Sequence, residues 1–85
     1  MTTAPDLALY HYDSCPYCAK VRRALQRLGV EVELRDVLEQ DEHMDALVEA
    51  RGRRTVPVLR IQKAGGDEWM PESDDIVAYL QKRFG

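Results

Sequence analysis

Chemistry in this chain is concentrated in Ser14-Cys15-Pro16-Tyr17-Cys18, which holds two thiols three residues apart, the only cysteines present. A thiolate attacks disulfide sulfur, and a second thiol within reach resolves the mixed disulfide that results. On a helix, Cβ atoms at i and i+3 lie about 5–6 Å apart, so a small tightening reaches disulfide geometry. Pro16 suits the first helical position and puts Cys15 at or beside the N-cap. There the unpaired amides of Tyr17 and Cys18, with the positive end of the helix dipole, favour an ionised sulfur. Lys20, Arg22 and Arg23 add positive charge nearby. Cys15 is therefore read as the nucleophile and Cys18 as the resolving thiol, deeper and less ionised.

Two duller uses of the pair fit poorly. Zinc wants four ligands, but there is no second Cys-x-x-Cys. His11 and His43 fall far apart in the expected fold; they are read as a loop or strand-edge residue and a solvated helix residue. A structural disulfide closing so short a loop restrains the unfolded chain little.

The elements that must position the thiols are legible in the hydrophobic pattern. Leu7 to Tyr12 is a short apolar run that predicts a buried strand. Val21, Ala24, Leu25 and Leu28 recur at helical spacing, and Gly29 suits the helix end. Val30, Val32 and Leu34 alternate with Glu31, Glu33 and Arg35, the pattern of a strand with one face in water. A second helix is expected from about Asp41 to Arg51, stopped by Gly52, and a third strand over Val56 to Ile61. Ala64-Gly65-Gly66-Asp67 reads as a hairpin turn into a fourth strand near Glu68–Met70. Ser73 is expected to N-cap a last helix bearing Ile76, Val77, Leu80 and Phe84. The order βαβ–α–ββ–α implies an α/β fold, a four-stranded mixed sheet with three helices on its two faces. Its first two strands should be parallel, joined by a right-handed crossover.

Eighty-five residues make one small domain, residues 1–85, with residues 1–6 expected to form a flexible tail. A composition 45% apolar and 32% charged is that of an ordinary globular protein, not of a disordered chain. Twelve Lys and Arg against fifteen Asp and Glu leave a net charge of −3, with no global pull toward nucleic acid or anionic membrane. No apolar run approaches a membrane span, and Met1–Asp6 lacks the features of a signal peptide. The cytoplasm is the expected compartment, where a close cysteine pair points to catalysis more than to a staple.

These motifs resemble a known family. Cys-Pro-Tyr-Cys after a first strand, then Thr55-Val56-Pro57, then Glu72-Ser73-Asp74-Asp75 before the last helix, look like a dithiol glutaredoxin of the thioredoxin fold. The stretch from Val56 through Pro71-Glu72-Ser73 to Leu80 is also similar to the N-terminal domain of glutathione S-transferases. The resemblance implies a cis Val56-Pro57 peptide facing the cysteines, with the Val56 backbone pairing the cysteinyl part of glutathione. It implies that Thr55, Glu72, Ser73 and Asp74 belong to the glutathione site. Ser73 and Asp74 would take the γ-glutamyl end: helix-start amides and a hydroxyl bind its carboxylate, a side-chain carboxylate its ammonium. Tyr17 would line the groove with its ring. Glutaredoxins commonly carry Lys three residues before the first cysteine; here Tyr12 stands there. Arg53 matches a family position for the glycyl carboxylate, with Arg51 and Arg54 in reserve.

The activity so implied is glutathione-dependent reduction of glutathione mixed disulfides and protein disulfides. Glutathione serves as co-substrate, no cofactor or metal is bound, and NADPH enters only through a separate glutathione reductase. A monomer is expected, with glutathionylated or disulfide-containing proteins as partners. The alternatives are a glutaredoxin-like donor coupled to thioredoxin reductase, which Glu72-Ser73-Asp74 argues against, and an iron–sulfur carrier. Carriers usually have one active-site cysteine followed by Gly-Phe-Ser, so Pro16 and Cys18 argue against that role. A third alternative is a glutathione-binding module without turnover.

Overall fold

Residues on both sides of the first strand are buried, and this decides how the sheet is covered. In the computed structural model, which describes residues 2–85, β1 (Thr2–His11) is followed by α1 (Pro16–Leu28), β2 (Val30–Asp36), α2 (Asp41–Arg51), β3 (Val58–Ile61), β4 (Glu68–Pro71) and α3 (Ser73–Phe84). The sheet order is β2-β1-β3-β4. β1 runs parallel to β2 and antiparallel to β3, and β3 pairs antiparallel with β4. This is the four-stranded mixed sheet with three helices that the motifs implied.

Alternation along β1 splits the interior in two. Leu7 and Leu9 join Val21 and Leu25 of α1, Leu59 and Ile61 of β3, and Ile76 and Leu80 of α3 in the larger core. Ala8 and Tyr10 point the other way, toward Leu47 of α2, Val37 and Val58. The sheet is thus sandwiched between α1 with α3 on one face and α2 on the other.

β1 is longer than the apolar run suggested. Residues 2–6, read from sequence as a tail, are strand: Thr2 and Thr3 pair with Val30 and Glu31, and the register shifts before Ala8. Met1 lies outside the described residues. The shift lets Ala4 and Leu7, of opposite parity, bury in the same core. Asp6 is held by Arg83 of α3 through two bonds of 2.9 and 3.0 Å. The tail reading failed because Thr2–Asp6 has too little hydrophobicity to mark a strand; pairing with β2 supplies what the pattern lacks. Among the described residues, no helix is long and apolar enough to cross a membrane.

Candidate active site

The turn between β1 and α1 sets the first thiol. The Cys15 amide donates to the Tyr12 carbonyl at 3.2 Å, and the Ala19 amide donates to the Cys15 carbonyl at 3.0 Å. Cys15 is the N-cap of α1, with φ −79° and ψ 118°, and Pro16 is the first helical residue. The Cys18 amide donates to the Cys15 sulfur at 3.4 Å. Both cysteines are free thiols.

Their environments push the two sulfurs apart. Burial raises the Cys15 thiol, but bonds from Cys18, the Tyr17 amide and the Tyr12 side chain outweigh it and hold the thiol below its ordinary value. Burial together with the bond to Cys15 pushes the Cys18 thiol up to about 12. The Cys15 sulfur's charge in turn raises the Tyr12 hydroxyl. Only 4% of Cys15 and none of Cys18 is exposed, so Cys18 is the deeper of the two as expected, but Cys15 too is largely covered.

Beside the helix start lies a cleft of about 280 Å³ walled by Tyr17, Thr55, Val56, Pro57, Pro71, Glu72, Ser73 and Asp74. Seven of the residues singled out from sequence thus share one wall, and Pro71 is the addition. The Val56-Pro57 peptide is cis. At the far side, Glu72 occupies the N-cap position of α3 with φ 73° and ψ 116°, and no side chain caps the helix. A non-glycine residue there costs about 1–3 kcal/mol, and such residues cluster at functional sites. Ser73 is therefore the first helical residue rather than the N-cap expected for it. The Glu72 carbonyl accepts the first intrahelical bond, from the Ile76 amide at 3.0 Å, and with no side-chain cap the first amides of α3 are left without a side-chain partner.

Known proteins resemble this chain in sequence and fold. Residues 9–85 match the family described as the N-terminal domain of glutathione S-transferase. The chain belongs to that family. Glutaredoxin 2 of Escherichia coli strain K12 is 37% identical over 79 residues, 93% of this chain and 34% of that protein. A crystal structure of glutaredoxin 2 from Salmonella typhimurium in complex with glutathione superposes with a TM-score of 0.77 at 30% identity, covering 96% of this chain and 35% of that one. Leishmania TDR1, described as a trimeric glutathione transferase, gives a TM-score of 0.77 at 28% identity over 93% of this chain and 18% of its own. The chain spans about a third of the length of the curated relatives it matches.

Around the site of this glutathione S-transferase N-terminal domain, His11, Arg53 and Lys20 depart from the sequence reading. His11 is no loop or edge residue: it is 3% exposed, with Nδ1 3.0 Å from an Arg22 guanidinium nitrogen. Burial and then the Arg22 charge lower its pKa, so the ring is neutral at neutral pH. Arg22 also donates to the Asp13 carbonyl at 3.2 Å, tying α1 to the turn that carries Cys15. Ligand atoms of His11, Asp13 and Asp36 lie within 4.8 Å of one another, but Arg22 already supplies a cation there. Asp36 Oδ1 meanwhile accepts from the Leu38 and Glu39 amides at 2.9 and 3.1 Å.

Arg53 is exposed and is not in the cleft wall; it lies in the bend after α2, where its side chain meets solvent. Lys20, read from sequence only as positive charge near Cys15, has a partner at the cleft. Its ammonium pairs with the Asp74 carboxylate across α1 and α3. The signal was its spacing: Lys20 is one helical turn beyond Tyr17, hence on the same face of α1.

Proposed function

We propose that the protein is a glutathione-dependent thiol–disulfide oxidoreductase. The observation that carries this is Cys15 as the N-cap of α1, its sulfur receiving the Cys18 amide, beside a cleft walled by cis Pro57 and the uncapped start of α3. The likeness to glutaredoxin 2 supports the same assignment.

In the reaction, the Cys15 thiolate attacks the glutathionyl sulfur of a mixed disulfide. A Cys15–glutathione disulfide forms, and the target's thiolate leaves and takes a proton. A second glutathione, as thiolate, attacks the glutathionyl sulfur; glutathione disulfide departs and the Cys15 thiolate returns. The net change is an exchange: one mixed disulfide and one glutathione thiol become the target thiol and glutathione disulfide. With a protein disulfide, the Cys15 thiolate attacks one sulfur and the other leaves as a thiolate. The Cys18 thiol then loses its proton and attacks the Cys15 sulfur, releasing the target's second thiolate. Two glutathione thiols reduce the Cys15–Cys18 bond and leave as glutathione disulfide.

The cleft fits glutathione in parts. The Val56 backbone before cis Pro57 offers an edge for the cysteinyl peptide group. Thr55 and the Tyr17 ring flank it, and Glu72, Ser73 and Asp74 meet the γ-glutamyl end, where free amides take an anion. The test is turnover of a glutathione mixed disulfide coupled to glutathione reductase and NADPH. Cys15→Ser is expected to be inactive and Cys18→Ser largely active. Equal loss in both sinks the one-cysteine route.

The family match favours a second reading, a glutathione transferase that conjugates glutathione to electrophiles. It requires conjugation of an electrophile such as an aryl halide at a rate that survives Cys15→Ser; the oxidoreductase reading predicts no such rate.

A further inference from the structure

We infer that Lys20 is a specificity-determining residue of the glutathione cleft: the Lys20–Asp74 ion pair opens to receive the zwitterionic α-amino-acid end of the γ-glutamyl group. The inference deepens the function proposed above and rests on it.

Charge in the cleft supplies the reason. Of the eight wall residues, Glu72 and Asp74 are acidic and none is cationic, and Asp75 follows directly. Glutathione brings two carboxylates and one ammonium. A wall carrying two negative charges repels that ligand unless a cation stands close, and Arg53, the cation sought from sequence, is outside the wall. Lys20 is the cation the structure ties to it, through Asp74.

The pair is built for exchange. Lys20 and Asp74 side chains are 47% and 81% exposed, and a pair this open to water stabilises little and is cheap to break. A ligand end with an ammonium and a carboxylate on one carbon carries the same two charges. The ammonium takes the Asp74 carboxylate, and the ligand carboxylate takes the Lys20 ammonium together with the unpartnered first amides of α3. One ion pair is replaced by two, with no charge left bare. Lys20 reaches this point because it stands one turn beyond Tyr17 on α1, whose N-terminal face forms the opposite side of the cleft.

The test compares wild type, Lys20→Gln and Lys20→Arg in mixed-disulfide turnover. The target carries either a glutathionyl or a cysteinylglycyl mixed disulfide, the second lacking the γ-glutamyl group, with glutathione at one saturating concentration as reductant. The pH profile of Cys15 alkylation is recorded for each protein. The expected result is a rise of about tenfold in the KM for the glutathionyl disulfide in Lys20→Gln with kcat retained, the scale of one charge-assisted contact. Lys20→Arg restores much of it, KM for the cysteinylglycyl disulfide is the same in all three, and the alkylation profile does not move. An unchanged KM for the glutathionyl disulfide overturns the inference, and a lowered KM overturns it by making Lys20 a plug. Equal loss with both disulfides and a shifted alkylation profile overturns it too, because Lys20 then acts through the sulfur. Wild type that turns over glutathione mixed disulfides while Lys20→Gln matches it refutes the inference alone; wild type without turnover refutes the proposed function and the inference together.

Discussion

At the residue scale, Tyr12 stands where the glutaredoxin pattern has Lys, and its hydroxyl adds to the backbone amides in lowering the Cys15 thiol. A hydrogen bond that favours the thiolate lowers the thiol pKa, so Tyr12→Phe is expected to raise it and slow alkylation of Cys15 at neutral pH. A rate profile identical to wild type contradicts this. The cysteines were legible because a thiol at a helix start has a local physical meaning. The cis proline and the Glu72-Ser73-Asp74 run were legible only through the family resemblance, since alone Pro57 reads as a strand opener and Ser73 as a cap. Lys20 and Arg22 were read only as positive charge near Cys15, because their partners lie elsewhere: Asp74 is 54 positions away from Lys20. His11 was misjudged for the same reason, since burial of an imidazole is decided by what packs over it.

At the element scale, helix starts and stops were the most readable features. α2 has the predicted bounds, and Gly29 and Gly52 end α1 and α2 in the left-handed conformation at φ 68°. α3 begins differently, since Glu72 takes the cap position at positive φ. Glu72→Gly relieves that backbone and is expected to stabilise the fold by about 1 kcal/mol after glycine's own entropic cost; urea denaturation measures it, and a loss of stability contradicts it.

The first five residues of β1 were unreadable because their order comes from β2 and from Arg83. The Arg83 side chain holds the Asp6 carboxyl below its ordinary value. The Asp6–Arg83 pair therefore stabilises the fold above the unfolded carboxyl's pKa and fades as pH falls through the lower folded value. Its side chains are 34% and 35% exposed, so screening limits the contribution to about 1 kcal/mol or less. Asp6→Asn is expected to lose that amount at neutral pH and to match wild type in strong acid; an equal difference at both pH values contradicts the pairing.

At the scale of the whole molecule, two cores divided by one sheet hold the site between them. α1 and α3 share the larger core, which fixes the Cys15 end of α1 against the start of α3, and the cleft forms where these helix ends meet the β3 side of the sheet. Leu80, fully buried in that core, is far from the thiols in sequence yet supports them. Leu80→Ala is expected to destabilise the protein by about 2–5 kcal/mol, read by thermal or urea unfolding; a loss well under 1 kcal/mol contradicts the packing described. Order of elements, parallel pairing and the two-sided sheet followed from hydrophobic period, from helix stops and turns, and from the crossover rule. The covering of Cys15 did not, since exposure is a property of the assembled fold.

The account depends on two thiols of one sequence motif having opposite character. Alkylation of the reduced protein from acid to alkaline pH, with each cysteine quantified by mass spectrometry, tests this directly. The account predicts that Cys15 reacts first, with an apparent pKa below that of an ordinary thiol, while Cys18 stays unmodified until far higher pH. Equal rates at the two sulfurs, or Cys18 leading, contradict it.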